Sequence, residues 1–93
     1  MMPGPRESVV EKYLKEQVDK VPFSECFKFT VRRGWPDRLV LIKGQIWFIE
    51  CKRPRGGRFE PLQKRIAARL VRGGYNYALL NTKEGIDQWL HGL

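Results

Sequence analysis

Cysteine and histidine are scarce in this 93-residue sequence, which contains two cysteines and one histidine. A structural zinc site needs about four such ligands, so the sequence excludes this class of metal site. Because disulfides are rare in proteins that stay inside the cell, we expect Cys26 and Cys51 to be reduced core residues. The single His91 is expected to lie on the surface.

Long apolar runs are also missing. No stretch approaches the roughly 18 apolar residues that a membrane-spanning helix requires, and the N-terminal residues lack the apolar core of a signal peptide. We therefore expect a cytoplasmic protein with no membrane partner. The sequence contains no internal repeat, and its 93 residues predict a single small domain over 1–93 with a thin core.

Acidic residues are outnumbered, with 10 Asp and Glu against 18 Lys and Arg, which gives a net charge of +8. This excess predicts a polyanionic partner, and nucleic acid is the default interpretation. The positive charge is concentrated between residues 52 and 72, where Glu60 is the one acid. The basic residues of this segment are Lys52, Arg53, Arg55, Arg58, Lys64, Arg65, Arg69 and Arg72.

A β-hairpin is predicted at the centre of the chain. Two arms, 37–42 and 45–52, are rich in β-branched and aromatic residues, and Lys43-Gly44 supplies a two-residue turn. This loop length pairs residue 42 with residue 45. Lysine is a poor residue for positive φ, and a three-residue loop would shift the pairing by one position.

The two-residue turn places Asp37 opposite Glu50. Directly opposed residues share a face, with Cβ atoms roughly 4.5–5.5 Å apart, so two carboxylates repel each other unless a cation lies between them. Lys52 lies on the same face as Glu50 because side chains two apart on a strand point the same way. A solvated strand end is the alternative, but the three charges occur together in matching register and favour an ion site.

The other elements follow from periodicity and turn residues. A helix follows the second arm of the hairpin and is itself followed by the last strand. This order implies a right-handed crossover, which makes the last strand parallel to the strand of Glu50. The expected order is αβββαβα, a central mixed four-stranded sheet flanked by helices. The three helices are predicted at 6–21, 61–72 and 83–91, and the two strands outside the hairpin at 26–31 and 75–80.

Several other side chains are candidates for the site in the cleft or for DNA contact. Gln63 lies on the edge of the apolar stripe of its helix and can reach the cleft of the sheet. Trp35 is a candidate for base stacking, whereas core packing is favoured for Trp47 and Trp89. Solvated surface charge is the alternative for the arginines that we assign to phosphate contact, which are Arg32, Arg33, Arg53, Arg55, Arg58, Arg65, Arg69 and Arg72.

The pattern Gly-x-Pro-Asp ending at Asp37, followed by Glu-x-Lys-Arg starting at Glu50 and by Gln63, resembles the PD-(D/E)xK nuclease superfamily. Within it, the sequence is similar to the VRR-NUC (virus-type replication-repair nuclease) branch, and the likeness covers nearly the whole chain. The resemblance implies a restriction-endonuclease-like core. One departure is Cys51, where many relatives carry an aliphatic residue.

The resemblance also implies a site. Asp37 and Glu50 suit Mg²⁺ or Mn²⁺, because these ions prefer oxygen ligands. The resemblance adds the backbone carbonyl of Cys51 and the carboxylate of Glu11 as metal ligands, with Glu7 as the reserve helical acid, and places Gln63 in the catalytic set. We expect Lys52 to orient the attacking water rather than to act as a general base.

The expected function is that of a Mg²⁺- or Mn²⁺-dependent, structure-specific DNA endonuclease. By resemblance, it acts as a homodimer on branched DNA such as Holliday junctions. Two alternatives stay open from the sequence. One is a basic nucleic-acid-binding module with no catalysis, and the other is a nuclease for flaps, ends or duplex sites.

Overall fold

Three helices and four strands form the computed structural model, which describes residues 6–93. Residues 1–5 of the expected 1–93 domain lie outside the described residues. The order αβββαβα, with a mixed sheet flanked by helices, confirms the expected fold class. The elements are α1 (Glu7–Asp19), β1 (Glu25–Lys28), β2 (Arg38–Ile42), β3 (Gln45–Cys51), α2 (Pro61–Arg72), β4 (Asn76–Leu80) and α3 (Lys83–His91).

The sheet has the order β1-β2-β3-β4, with β3 and β4 parallel and the other pairs antiparallel. Ile42 pairs with Gln45, which confirms the two-residue turn. Lys43 and Gly44 have φ of 51° and 75°, as a type I′ hairpin turn requires. Lysine therefore adopts positive φ here, although its side chain makes this conformation less favourable than glycine would.

Some strand boundaries differ from the expected ones. β2 begins at Arg38 rather than at residue 37, because Pro36 has no N–H to extend the ladder. β1 covers Glu25–Lys28 rather than 26–31. Its chain stays beside β2 for one more residue, where the Phe29 N–H donates to the Asp37 carbonyl at 2.9 Å.

One face of the sheet is fully covered by helices. Its side chains come from all four strands and form the main core with apolar residues of α1 and α3. We call this the covered face. Both cysteines lie there as free, buried thiols, which confirms the expectation for them. The core comprises Val10, Leu14, Val18, Cys26, Val40, Ile42, Ile49, Cys51, Leu80 and Ile86.

The opposite face, which we call the open face, is covered only in part by α2. Phe48 of β3 is half-buried there and contacts the edges or faces of three aromatic rings. The ring centroids of Phe29, Trp35 and Tyr75 lie 5.8, 6.2 and 6.4 Å from that of Phe48. Since side chains alternate along a strand, Phe48 shares this face with Glu50.

The helices of the described part of the chain are short and amphipathic. Across residues 6–93, no helix combines the length and the apolar composition needed to cross a bilayer.

Candidate active site

Asp37 joins the two arms of the hairpin at the end of the sheet. It follows Pro36, whose side chain is fully buried, and its Oδ1 accepts a hydrogen bond from the Cys51 N–H at 3.1 Å. The N–H and C=O of one strand residue point to the same side, so the Cys51 carbonyl is directed toward the side of Asp37. The carboxylate is therefore fixed beside a backbone oxygen.

Glu50 lies one residue beyond the last hairpin pair, Arg38 and Ile49, and is only 4% exposed. Its Oε2 is 3.6 Å from Lys52 Nζ and accepts a hydrogen bond from Gln63 Nε2 at 3.4 Å. A buried carboxylate must be paired or hydrogen-bonded, and these two groups supply the partners.

Gln63 is held at the start of α2 by its own amide oxygen. Its Oε1 accepts a hydrogen bond from the Glu60 N–H at 2.9 Å, which satisfies one of the free donors at the helix N-terminus. The amide nitrogen is then directed toward Glu50. This hydrogen bond orients the side chain, and the sequence analysis did not foresee it.

Helix α1 brings two acids to the same end of the sheet. Glu7 and Glu11 lie one turn apart, and each places a carboxylate oxygen within 4.8 Å of the other and of an Asp37 oxygen. The structure thus gathers both the helical acid that we selected and the one that we held in reserve. Glu50 is not part of this tight group of three.

Arg38 is a residue that the sequence analysis missed. It is 9% exposed, its Nη2 lies 2.8 Å from Glu11 Oε2, and its Nη1 donates to the Asp37 carbonyl at 2.9 Å. A signal for it exists in the sequence. Arg38 begins a strand whose alternate residues, Val40 and Ile42, are apolar, and a charge on a buried face needs a partner.

The surroundings of the site disfavour the ionised form of its carboxylates. Burial raises the pKa of Asp37 to about 6, against the effect of the Cys51 N–H and Arg38. Burial, together with repulsion by Asp37, raises the pKa of Glu50 to about 7, although Lys52 opposes this shift. Clustered carboxylates of this kind gain from the binding of a cation.

The basic loop after β3 borders the acids. The side chain of Arg53 folds back on this loop, and its Nη2 donates to the Gly56 carbonyl at 3.1 Å. A cleft extends from the loop to α1 and the start of α2. It is lined by Glu7, Lys52, Arg53, Gly56, Gly57, Arg58 and Glu60.

Arg55 is exposed in the same loop after β3. The other candidate arginines are also exposed and lie on two elements. Arg32 and Arg33 occupy the turn before β2, and the other three project from α2. Arg32 and Arg69 line one pocket, so the turn and the helix meet on the open face. The exposed arginines of α2 are Arg65, Arg69 and Arg72.

Known proteins resemble this chain over most of its length. No family model matches the sequence. A solved structure described as "VRR_NUC domain" superposes with a TM-score of 0.80 at 28% identity, covering 91% of this chain and 94% of that one. The chain is also 40% identical over 82 residues to "Putative nuclease p44" of Acyrthosiphon pisum secondary endosymbiont phage 1, covering 85% of this chain and 86% of that protein.

This chain belongs to the VRR-NUC family. Both the sequence relative and the structural neighbour span nearly the whole of it, so the family resemblance noted in the sequence is confirmed and a nuclease function is supported. The acids, lysine and glutamine described above are therefore the side chains to consider for the chemistry.

Proposed function

We propose that this VRR-NUC protein is a Mg²⁺- or Mn²⁺-dependent, structure-specific DNA endonuclease that cleaves branched DNA such as Holliday junctions. The observation that carries the proposal is the convergence of acids from β3, from the residue before β2 and from α1, beside a largely buried lysine. Glu50 is 3.6 Å from Lys52, and Asp37 lies within 4.8 Å of Glu7 and Glu11.

The donors at this end of the sheet fit a hard divalent cation. All the side-chain candidates are carboxylates, which match the oxygen preference of Mg²⁺ and Mn²⁺. Asp37, Glu50 and the Cys51 carbonyl would hold the ion, with Glu7 or Glu11 as the helical ligand. When bound, the ion would favour ionisation of water and offset negative charge on the phosphoryl oxygens.

The residues of the chain itself position the reaction. Lys52 is largely buried, with 15% of its side chain exposed, so its ammonium group is held close to Glu50. In our proposal, it orients the attacking water and stabilises developing negative charge. Gln63 keeps Glu50 in place through its amide N–H, while its own orientation depends on the N-terminus of α2.

The substrate follows from charge and symmetry. The basic loop borders the acids, the arginines of α2 are exposed, and both suit the phosphate backbones of DNA. A four-way junction must be cut in two strands, and a homodimer with two symmetric sites performs both cuts. We therefore propose a homodimer as the active form.

The test is a cleavage assay with a labelled four-way junction and a fully paired duplex of the same sequence. We expect cleavage of the junction with Mg²⁺ or Mn²⁺, none with EDTA, and much less cleavage of the duplex. Asp37→Asn is expected to reduce the rate by at least about 10³-fold, which corresponds to about 4 kcal/mol.

The matched control is Asp19→Asn, which makes the same change at an exposed helix end where the carboxylate pairs with Lys15. It is expected to cleave like the unmodified protein. DNA binding without any metal-dependent cleavage would contradict the proposal and support the non-catalytic binding module instead. Equal cleavage of junction and duplex would refute structure specificity alone.

A further inference from the structure

A second feature of the open face is a pocket between α2 and the turn that precedes β2. Two aromatic residues, two aliphatic residues and two arginines surround it. Its aromatic side chains come from separate parts of the chain, one before β2 and one after α2. The lining residues are Arg32, Trp35, Ile66, Arg69, Leu70 and Tyr75.

Trp35 is positioned by a tight turn. Its N–H donates to the Arg32 carbonyl at 3.2 Å, and Gly34 between them has a φ of +86°. Gly34 packs so closely on α2 that an added Cβ would lie 2.5 Å from Leu62 Cγ. The indole is half-buried with one edge contact to Phe48, so the turn fixes the ring without covering it.

Tyr75 is positioned by the end of α2. Its N–H donates to the Leu70 carbonyl at 2.9 Å, and the preceding Gly74 has a φ of +85°. The ring lies against Gly73, where an added Cβ would be 2.9 Å from Tyr75 Cε2. Although its backbone is held, the residue is 61% exposed. A large aromatic side chain with a fixed backbone and an exposed ring is suited to stacking on a planar ligand.

The two arginines give the pocket its charge. Within residues 6–93, neither Arg32 nor Arg69 forms a salt bridge, and both are exposed. Aromatic rings beside unpaired arginines are the combination with which proteins bind single-stranded nucleic acid, because the rings stack on bases and the guanidinium groups contact phosphate.

We propose that this pocket binds one unstacked nucleobase of the DNA, held between Trp35 and Tyr75, with Arg32 and Arg69 on the flanking phosphates. The proposal deepens the function proposed above and takes from it only that the polymer is DNA.

The pocket is placed to act together with the acids. Trp35 lies two residues before Asp37, and Phe48, which contacts both rings of the pocket, lies two residues before Glu50. Two residues of extended chain span at most about 7 Å, so the base would belong to a nucleotide close to the one that is cleaved. Unpaired bases cost less to unstack, and the pocket would therefore select DNA at a branch or a bulge.

The test is equilibrium binding in EDTA, which needs no cleavage. A labelled duplex with one unpaired nucleotide is compared with the fully paired duplex by fluorescence anisotropy. We expect about tenfold tighter binding of the duplex with the unpaired nucleotide, in line with base stacking on aromatic residues. Tyr75→Ala is expected to remove this preference, and Tyr75→Phe is expected to keep it because the ring remains.

The control is Lys43→Asn, which removes one positive charge at the hairpin turn, the end of β2 and β3 away from Asp37 and Glu50, and introduces a residue that tolerates positive φ. It should retain the preference. Thermal melts of each variant establish that it is folded. In a second measurement, 5-iodouracil at the unpaired position is irradiated, and the cross-link is expected on Trp35 or Tyr75.

Equal binding of both duplexes by the unmodified protein would overturn the proposal, as would a preference that survives in folded Tyr75→Ala. If Tyr75→Ala instead converts a dimer to a monomer in sedimentation, the pocket belongs to a subunit interface and the proposal is wrong. These outcomes do not test the function proposed above. That proposal is wrong if metal-dependent cleavage is absent, whatever the result of the binding measurements in EDTA.

Discussion

The two faces of the β2-β3 hairpin differ in what they do, although they consist of alternate residues of the same strands. On the covered face, Val40, Ile42 and Ile49 are at most 1% exposed and pack against α1 and α3. On the open face, the apolar residues are only partly covered, and Asp37 just before β2 lies with Glu50 near the end of β3. Stability therefore comes mainly from the covered face, whereas Glu50 of the candidate site lies on the open face.

Arg38 connects the two faces. It belongs to the alternation of the covered face, yet its guanidinium contacts Glu11 and the carbonyl of Asp37. The acids are therefore not independent of the packed core. Their repulsion is partly balanced from behind the sheet, by a side chain that occupies a core position.

The largest effect on the open face is expected from Lys52→Ala. Loss of the ammonium group should reduce the cleavage rate by about 10²–10³-fold when it is measured well below the melting temperature, which should also fall because buried Glu50 loses a partner. The measurement is single-turnover cleavage of a junction with saturating metal. Lys43→Ala is the control, since it removes the same charge at the hairpin turn. A rate within twofold of the unmodified protein would remove Lys52 from the chemistry.

The largest effect on the covered face is expected from Ile49→Ala. This side chain is fully buried, so its truncation should cost about 3 kcal/mol of the free energy of unfolding and lower the melting temperature by roughly 12–24 °C. Ile46→Ala is a matched control on the same strand, because Ile46 is 55% exposed on the open face. We expect a cost of at most about 0.5 kcal/mol there.

Equal costs at Ile49 and Ile46 would refute the division between the faces. Such a result would mean that the apolar part of the open face is buried in solution, by a second copy of the chain or by another partner. Repeating both melts over a range of protein concentrations would distinguish burial between copies, because only that depends on concentration.

An intermediate effect is expected where the faces meet. Denaturant unfolding of Arg38→Ala, Glu11→Ala and the double variant measures the coupling between the two residues. We expect about 2 kcal/mol, because the pair is largely shielded from water, with 11% and 23% of the side chains exposed. The exposed pair of Lys12 and Glu16 is the control and should give at most about 0.5 kcal/mol.

A coupling near zero between Arg38 and Glu11 would mean that Glu11 is available to bind the metal. A strong coupling would mean that Glu11 is held by Arg38, which makes Glu7 the better candidate for the helical ligand. Metal titrations of Glu7→Gln and Glu11→Gln decide between them. The variant that needs more Mn²⁺ for half-maximal cleavage identifies the helical ligand, and we expect this to be Glu7→Gln.

The sequence was sufficient to predict the hairpin and its register. Two residues between the arms fix the pairing, and the alternation of side chains then places Glu50 and Lys52 on one face with Asp37 beside them. The order of the elements was also predictable, because the helical periodicity and the turn residues agree. These are local properties of the chain, and they do not depend on how distant elements pack.

The contacts of Arg38 and Gln63 were not predictable in the same way. The partner of Arg38 comes from α1, and the helical periodicity does not fix the rotation of that helix relative to the sheet to within one residue. For the same reason, the sequence could not decide between Glu7 and Glu11. The aromatic pocket also escaped prediction, since Trp35 and Tyr75 come to line one pocket only when α2 packs on the open face.

The smallest expected effect is on the pH dependence of the stability of the metal-free protein. The raised pKa values of Asp37 and Glu50, about 6 and about 7, mean that the folded metal-free protein binds protons more tightly than the unfolded chain. The stability in EDTA should therefore fall as the pH rises from about 4 to about 7. Glu50→Gln removes part of this dependence. It should stabilise the metal-free protein at pH 8 by roughly 1–2 kcal/mol, since solvent at the cleft screens part of the burial cost.

Thermal melts of Glu50→Gln and of the unmodified protein, at pH 5 and pH 8 in EDTA, measure this effect. The matched control is Glu16→Gln, an exposed acid on α1 that should leave the pH dependence unchanged. A Glu50→Gln variant that melts lower at pH 8 would mean that the Lys52 and Gln63 contacts outweigh burial. The open face would then be stabilised by its own charges, and the contrast with the covered face would be lost.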